Sequence, residues 1–228
     1  VQRHLQPDVN RHTARVLALA GWDVVTPAVQ GCCGALELHA GRVEAYRERA
    51  RALAAALPRD VDWVVTNAAG CGSAMKEYDH WLPDAEAAAL ARRTRDVSEL
   101  LADADLPLRP LPLTVTYHDP CHLAHGQKLR AEPRAMLRRI PQLSLVELPD
   151  SEVCCGSAGI YNILEPGMAE RLGGMKADRI ARTGATVVAT GNPGCIVQIA
   201  AALRRRGLAI DVVHPVSLLA RAAGVAEP

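Results

Sequence analysis

Cys32-Cys33-Gly34-Ala35 returns 122 residues later as Cys154-Cys155-Gly156-Ser157, and this recurrence constrains the fold more than any other feature of the chain. A lone cysteine follows each pair. It is Cys71 within Asn67-Ala68-Ala69-Gly70-Cys71-Gly72 and Cys195 within Gly191-Asn192-Pro193-Gly194-Cys195, 124 residues apart. Asp96-Val97-Ser98-Glu99-Leu100-Leu101 likewise answers Pro215-Val216-Ser217-Leu218-Leu219-Ala220. Nearly matching registers across separate motifs imply two copies of one unit. Sliding the first copy by 121 brings His4 onto His125 and Gln6 onto Gln127, so the counterpart of Cys121 falls immediately before Val1. The expectation is a chain cut just after the first ligand of its first repeat.

Each copy carries the same order of elements. Residues 8–20 have apolar side chains at Val9, Val16, Leu17 and Ala20 with Gly21 as a stop, the pattern of an amphipathic helix. Trp22-Asp23-Val24-Val25-Thr26 reads as a strand running into the loop of Cys32 and Cys33. Val43, Tyr46, Ala50, Leu53 and Leu57 mark a helix, and residues 61–66 a buried strand that delivers Cys71. The second copy gives strands at 113–117, 143–148, 185–190 and 209–214, with helices at about 133–140, 166–183, 195–206 and 216–223. Such alternation predicts an α/β fold, two tandem Rossmann-like repeats with parallel sheets flanked by helices. The proline-rich stretch 101–112 is the expected linker, so the domains are expected at 1–106 and 107–228. Sites in such folds form at the carboxyl ends of strands. Cys71, Cys121 and Cys195 each follow a Val-rich segment.

With 26 basic and 25 acidic side chains, the net charge of +1 leaves no electrostatic footprint for nucleic acid, and no basic stretch is interleaved with aromatics. Phenylalanine is absent, so the core is packed from Val, Leu, Ile and Ala. No apolar run approaches the ~20 residues of a membrane helix and no signal-peptide pattern opens the chain, which therefore reads as cytoplasmic.

Seven cysteines in a chain of this kind read as metal-binding or redox residues, not as a disulfide framework. The second half holds a complete set of four, Cys121, Cys154, Cys155 and Cys195; the first half holds Cys32, Cys33 and Cys71. Soft thiolates hold iron–sulfur clusters, and four surround one cluster. Gly156, Gly159 and Gly194 allow close backbone approach. Zinc is the rival metal, since four thiolates at a closed site suit it as well, and it could fill one repeat. His118, His122 and His125 around Cys121 read as hydrogen-bonding neighbours of the site, not as ligands. Asp119 beside Pro120 reads as a turn residue, and Gly173-Gly174 as a close-packing position or a kink.

A lone cysteine, a Cys-Cys-Gly and a last cysteine, repeated twice, resemble the CCG cysteine-rich domain. That domain is shared by heterodisulfide reductase, lactate-utilisation iron–sulfur proteins and the iron–sulfur subunit of glycolate oxidase (glycolate dehydrogenase). Gly31-Cys32-Cys33-Gly34-Ala35-Leu36-Glu37-Leu38-His39, Lys76-Glu77-Tyr78, His125-Gly126-Gln127 and Cys154-Cys155-Gly156-Ser157-Ala158-Gly159 are most similar to the last. The resemblance implies a subunit with a cluster of 4Fe–4S type, relaying electrons from flavin-bearing subunits that oxidise glycolate to glyoxylate. Any approach to the inner face of the membrane would go through that complex. The family's ferredoxin-type motifs have no counterpart in these residues. Heterodisulfide reductase ends each repeat with Cys-x-x-Cys, where Ala68 and Asn192 stand here, which argues against five-cysteine clusters and direct disulfide reduction. The competing functions are a heterodisulfide reductase-like redox protein, a lactate-utilisation protein and a zinc-stabilised scaffold.

Overall fold

Short runs rich in β-branched residues suit a parallel sheet covered by helices, and the two central strands of the larger sheet, through Val115-Thr116-Tyr117 and Val187-Val188-Ala189, are buried along their length. The structure, a computed structural model, describes residues 2–226. Val1, beside which the expected fourth cysteine of the first half falls, lies outside them.

The first half runs α1 (Gln2–Leu5), α2 (Pro7–Leu19), α3 (Ala35–His39), α4 (Val43–Ala56), β1 (Val64–Thr66), α5 (Ala69–Lys76), α6 (Tyr78–Trp81), α7 (Ala85–Arg93), β2 (Thr94–Asp96) and α8 (Val97–Leu101). The second runs β3 (Thr114–Tyr117), a π-helical turn (His122–Gly126), α9 (Ala131–Arg138), β4 (Ser144–Glu147), α10 (Tyr161–Leu164), α11 (Pro166–Arg182), β5 (Val187–Ala189), α12 (Pro193–Arg205), β6 (Asp211–Val213) and α13 (Pro215–Ala222). All strand pairs are parallel. β1 pairs with β2 in one sheet, and the other has the order β4-β3-β5-β6. The β1-β2 pair thus corresponds to β5-β6, and the helix after each second strand is capped from the residue before it. Asp96 accepts from the Ser98 N–H, and His214 Nδ1 from the Val216 N–H at 3.1 Å.

The expected strand at Trp22–Thr26 does not form. Its repeat counterpart is β4, which is held by β3, and no described residue of the first half is a counterpart of β3. An extended segment without a ladder partner stays irregular, and Val25 is 58% exposed. Beyond Leu101, the last residue of α8, the linker holds neither helix nor strand. It is nonetheless fastened to the second half, with the Arg109 N–H donating to Ala222 O and the Leu111 N–H to Pro141 O.

The halves share their largest core. Val9, Val16 and Leu17 of α2 pack with Val216, Leu218 and Leu219 of α13, and Val97 and Leu101 of α8 join Met136 and Leu137 of α9 in the same cluster. Because α2 corresponds to α9 and α8 to α13, each half lends a helix to the other in a pseudo-symmetric exchange. Smaller clusters surround each cysteine set, one with Cys33, Tyr46 and Tyr78, the other with Cys155, Cys195, Ile180 and Ile199. α11 is continuous through Gly173-Gly174. A Cβ on Gly173 would stand 3.3 Å from the Ala202 methyl of α12, so this glycine serves close packing and not a kink.

Candidate metal centres

Cys71 and Cys195 each occupy the third position of a helix that starts directly after a strand, α5 after β1 and α12 after β5. Cys121 follows β3 and opens the π-helical turn. Strand ends therefore deliver three of the seven thiols, and helix N-termini favour the thiolate form of two of them. The Cys-Cys-Gly loops bring the rest. Gly156 has φ +94°, and a Cβ there would meet the Ala169 carbonyl of α11 at 2.5 Å; a Cβ on Gly194 would meet Ser157 Oγ at 2.6 Å. These glycines let the loop seat itself between α11 and the start of α12.

In the second half the four thiols form one connected set. Cys121 lies beside Cys154, Cys154 beside Cys155, and Cys155 beside Cys195. The Gly156 N–H points at Cys154 Sγ (3.3 Å) and Asn192 Nδ2 at Cys195 Sγ (3.5 Å). Protons are divided unequally over the set. Its neighbour Cys121 pushes Cys154 well below the ordinary thiol range, and Cys155 pushes Cys195 down against its burial. Cys121 and Cys155 are pushed up in turn by these same neighbours and by burial. Four thiolates this close repel one another, and a cation among them is what would ionise them all. The first half repeats the arrangement with three. Cys33 lies between Cys32 and Cys71, and the Gly34 N–H points at Cys32 Sγ at 3.5 Å. Tyr78 Oη donates to the Cys33 carbonyl at 2.9 Å. All seven sequence-predicted cysteines thus gather into two sets. A soft metal centre fits the second set, with its four converging sulfurs and backbone and amide donors already aimed at two of them.

Among the histidines, His118 is buried with one ring nitrogen and the sulfurs of Cys155 and Cys195 within 4.8 Å of one another. Neither of its ring nitrogens has a hydrogen-bonding oxygen or nitrogen, so Cys195, whose pKa it lowers, is the group it addresses. His122 Nδ1 lies 3.6 Å from Cys121 Sγ, while its Nε2 meets His39 Nε2 of the first half at 3.0 Å. His125 points to Arg130 instead.

Three features escape sequence reasoning. Asn192, legible only as a missing cysteine, accepts from the Gly70 N–H of α5 at 3.2 Å while donating to Cys195, and so ties the two sites together. Asp119, expected as a turn residue, is buried and takes Arg134 Nη1 and Nη2 at 2.8 and 2.6 Å and Ser151 Oγ at 2.6 Å. It thereby joins the Cys121 segment to the loop preceding Cys154. Lys176 is fully buried beneath that loop.

Residues 1–76 and 115–200 match the family model of the CCG cysteine-rich domain. The chain belongs to the CCG cysteine-rich domain family. This CCG protein is 40% identical over 227 residues to the probable glycolate oxidase iron–sulfur subunit of Bacillus subtilis, covering 94% of this chain and 51% of that protein. Identity to the glycolate oxidase iron–sulfur subunit of Escherichia coli is 35% over 216 residues, covering 89% and 52%. Lactate utilization protein A of Oceanobacillus iheyensis is 30% identical over 221 residues, 93% of this chain and 90% of the relative. The chain spans about half the length of the two glycolate oxidase subunits. No helix among the described residues is long and apolar enough to cross a membrane.

Proposed function

We propose that this CCG chain is the cysteine-rich electron-transfer region of an iron–sulfur subunit, in two repeats at 1–106 and 107–228. Cys121, Cys154, Cys155 and Cys195 hold a 4Fe–4S cluster, and Cys32, Cys33 and Cys71 are the ligands of a second centre. The convergence of four thiols in the second half carries this reading. A cluster there would supply a one-electron acceptor and donor. The chain's own residues set its surroundings. Gly156 N–H and Asn192 Nδ2 offset negative charge on the sulfurs, the α12 N-terminus does the same for Cys195, and the apolar cluster of Ile180, Val188 and Ile199 limits water access.

The likeness to glycolate oxidase iron–sulfur subunits supports flavin-bearing subunits as the partner and glycolate, oxidised to glyoxylate, as the electron source. The near full-length likeness to lactate utilization protein A makes lactate the second reading for the 2-hydroxy acid. Zinc in one of the two repeats is the second reading for the metal, since thiolates at a closed site suit it as well. We place the protein in the cytoplasm, meeting the inner membrane face only through its complex. In the complex with flavin-bearing subunits, glycolate should bleach the visible absorption of the clusters. Cys155→Ser should remove the part due to the second centre; bleaching identical in both would refute the assignment.

A further inference from the structure

Lys176 stands in the middle of α11 with no solvent exposure. Its Nζ donates to the carbonyls of Asp150 (2.8 Å) and Ser151 (3.1 Å), in the turn that leads into Cys154. Burial pushes its pKa down to about 8, with Arg179 adding to the shift and the Cys155 and Cys195 thiols opposing it. Two carbonyl acceptors and no cationic hydrogen-bond partner suit the ammonium form of this side chain.

The first half has no buried counterpart of this charge: Arg49 of α4 acts on Cys32, but it is half-exposed and paired with Glu37 at 3.2 Å. α4 buries Tyr46, Ala50 and Leu53, and α11 buries Ala169, Gly173 and Lys176 at the same spacing, 123 residues on. The glycine of each Cys-Cys-Gly confirms the register, since a Cβ on Gly34 would strike Tyr46 and one on Gly156 would strike Ala169. Leu53 is thus the counterpart of Lys176, and it packs against Gly31 in the loop before Cys32. One repeat supports its cysteine loop with methyl groups, the other with a buried cation. Packing alone does not require the cation, whose desolvation is costly.

We propose that Lys176 positions the Cys154-Cys155 loop and sets the charge of the second site, raising the reduction potential of the centre held there above that of the first. This rests on the iron–sulfur reading. Reduction adds one negative charge to a thiolate-bound centre, and a buried ammonium beside it stabilises the reduced form more than the oxidised one. Leu53 offers no such charge, and the half-exposed, Glu37-paired Arg49 is screened by solvent, so electrons settle on the second site first.

The test is a redox titration followed by EPR on the anaerobically reconstituted protein, with Lys176→Met, Lys176→Arg and iron and sulfide measured on each. Lys176→Met should retain its iron and shift the second-site potential downward, by at least tenfold in the reduction equilibrium constant, about 59 mV for one electron. Lys176→Arg should stay near the unmutated value. An unchanged potential in iron-loaded Lys176→Met would overturn the inference while leaving the cluster assignment intact. If Lys176→Met loses its iron, Lys176→Arg decides. Iron and potential retained support the charge, and behaviour like Met reduces Lys176 to packing. Absence of any cluster in the unmutated protein would instead overturn the iron–sulfur reading.

Discussion

Asp119→Asn is the substitution whose cost follows most directly from the structure. Asp119 is 2% exposed, and besides its paired bonds to Arg134 it accepts from Ser151. Arg134 also reaches Glu147 at 3.0 Å and lies over the Tyr117 ring at 5.0 Å. Asparagine would leave the guanidinium facing a neutral amide, with a half-exposed Glu147 as its remaining countercharge. Breaking a buried ion pair from one side costs about 3–5 kcal/mol, and the retained Glu147 places this case at about 3 kcal/mol. In a chain of this size that lowers Tm by roughly 6–12 °C. Thermal and urea unfolding of the metal-free protein at pH 7 would measure it, and adding Arg134→Met should recover part of the loss. A loss below about 0.5 kcal/mol, or strict additivity of the two substitutions, would refute the reasoning. Burial acts to raise the Asp119 carboxyl, but the bonds from Arg134 and Ser151 outweigh it and hold the group below its ordinary value. A depressed carboxyl contributes stability above the unfolded pKa near 4, and that contribution is lost as pH falls through the folded value. The gap between the two proteins should therefore begin to narrow near pH 4 and close only once the pH is below the folded value.

Gly156→Ala should cost at least about 2 kcal/mol, because φ +94° strains any L-residue and the new methyl strikes the Ala169 carbonyl. Unfolding within about 0.5 kcal/mol of the unmutated protein would contradict this. His214 is held neutral by burial and pushed down to about 4; its Nε2–H donates to Asn67 O at 2.9 Å and its Nδ1 accepts from Val216. The unfolded state protonates near pH 6.5, so stability on the order of 3 kcal/mol should be lost as pH falls from 6.5 to 4. His214→Asn should flatten that slope in urea titrations, and an equal slope in both proteins would show that the histidine is not its source.

Motifs and periodicity reveal what is local. The Cys-Cys-Gly pairs, the Val187–Ala189 strand and the α11 boundaries are all readable because each depends on neighbours in sequence. Trp22–Thr26 has strand chemistry, yet pairing is a property of two segments, and its β3-like partner is not among the described residues. An amphipathic pattern shows that α2 has a buried face but not that the covering helix is α13 of the other repeat. Lys176 and the Asp119–Arg134 pair are hidden for a related reason. A lysine in a helix ordinarily reads as solvated, and only the folded chain shows that its Nζ finds the carbonyls of a loop 25 residues away.

Iron and acid-labile sulfide per chain after anaerobic reconstitution test the central assignment most directly, measured on the unmutated protein and on Cys155→Ser. Four converging thiols in the second half should yield a brown protein with iron and sulfide in nearly equal amounts, and Cys155→Ser should lose the share bound there. Zinc without sulfide in the unmutated chain, or the same iron and sulfide in both proteins, would contradict the assignment.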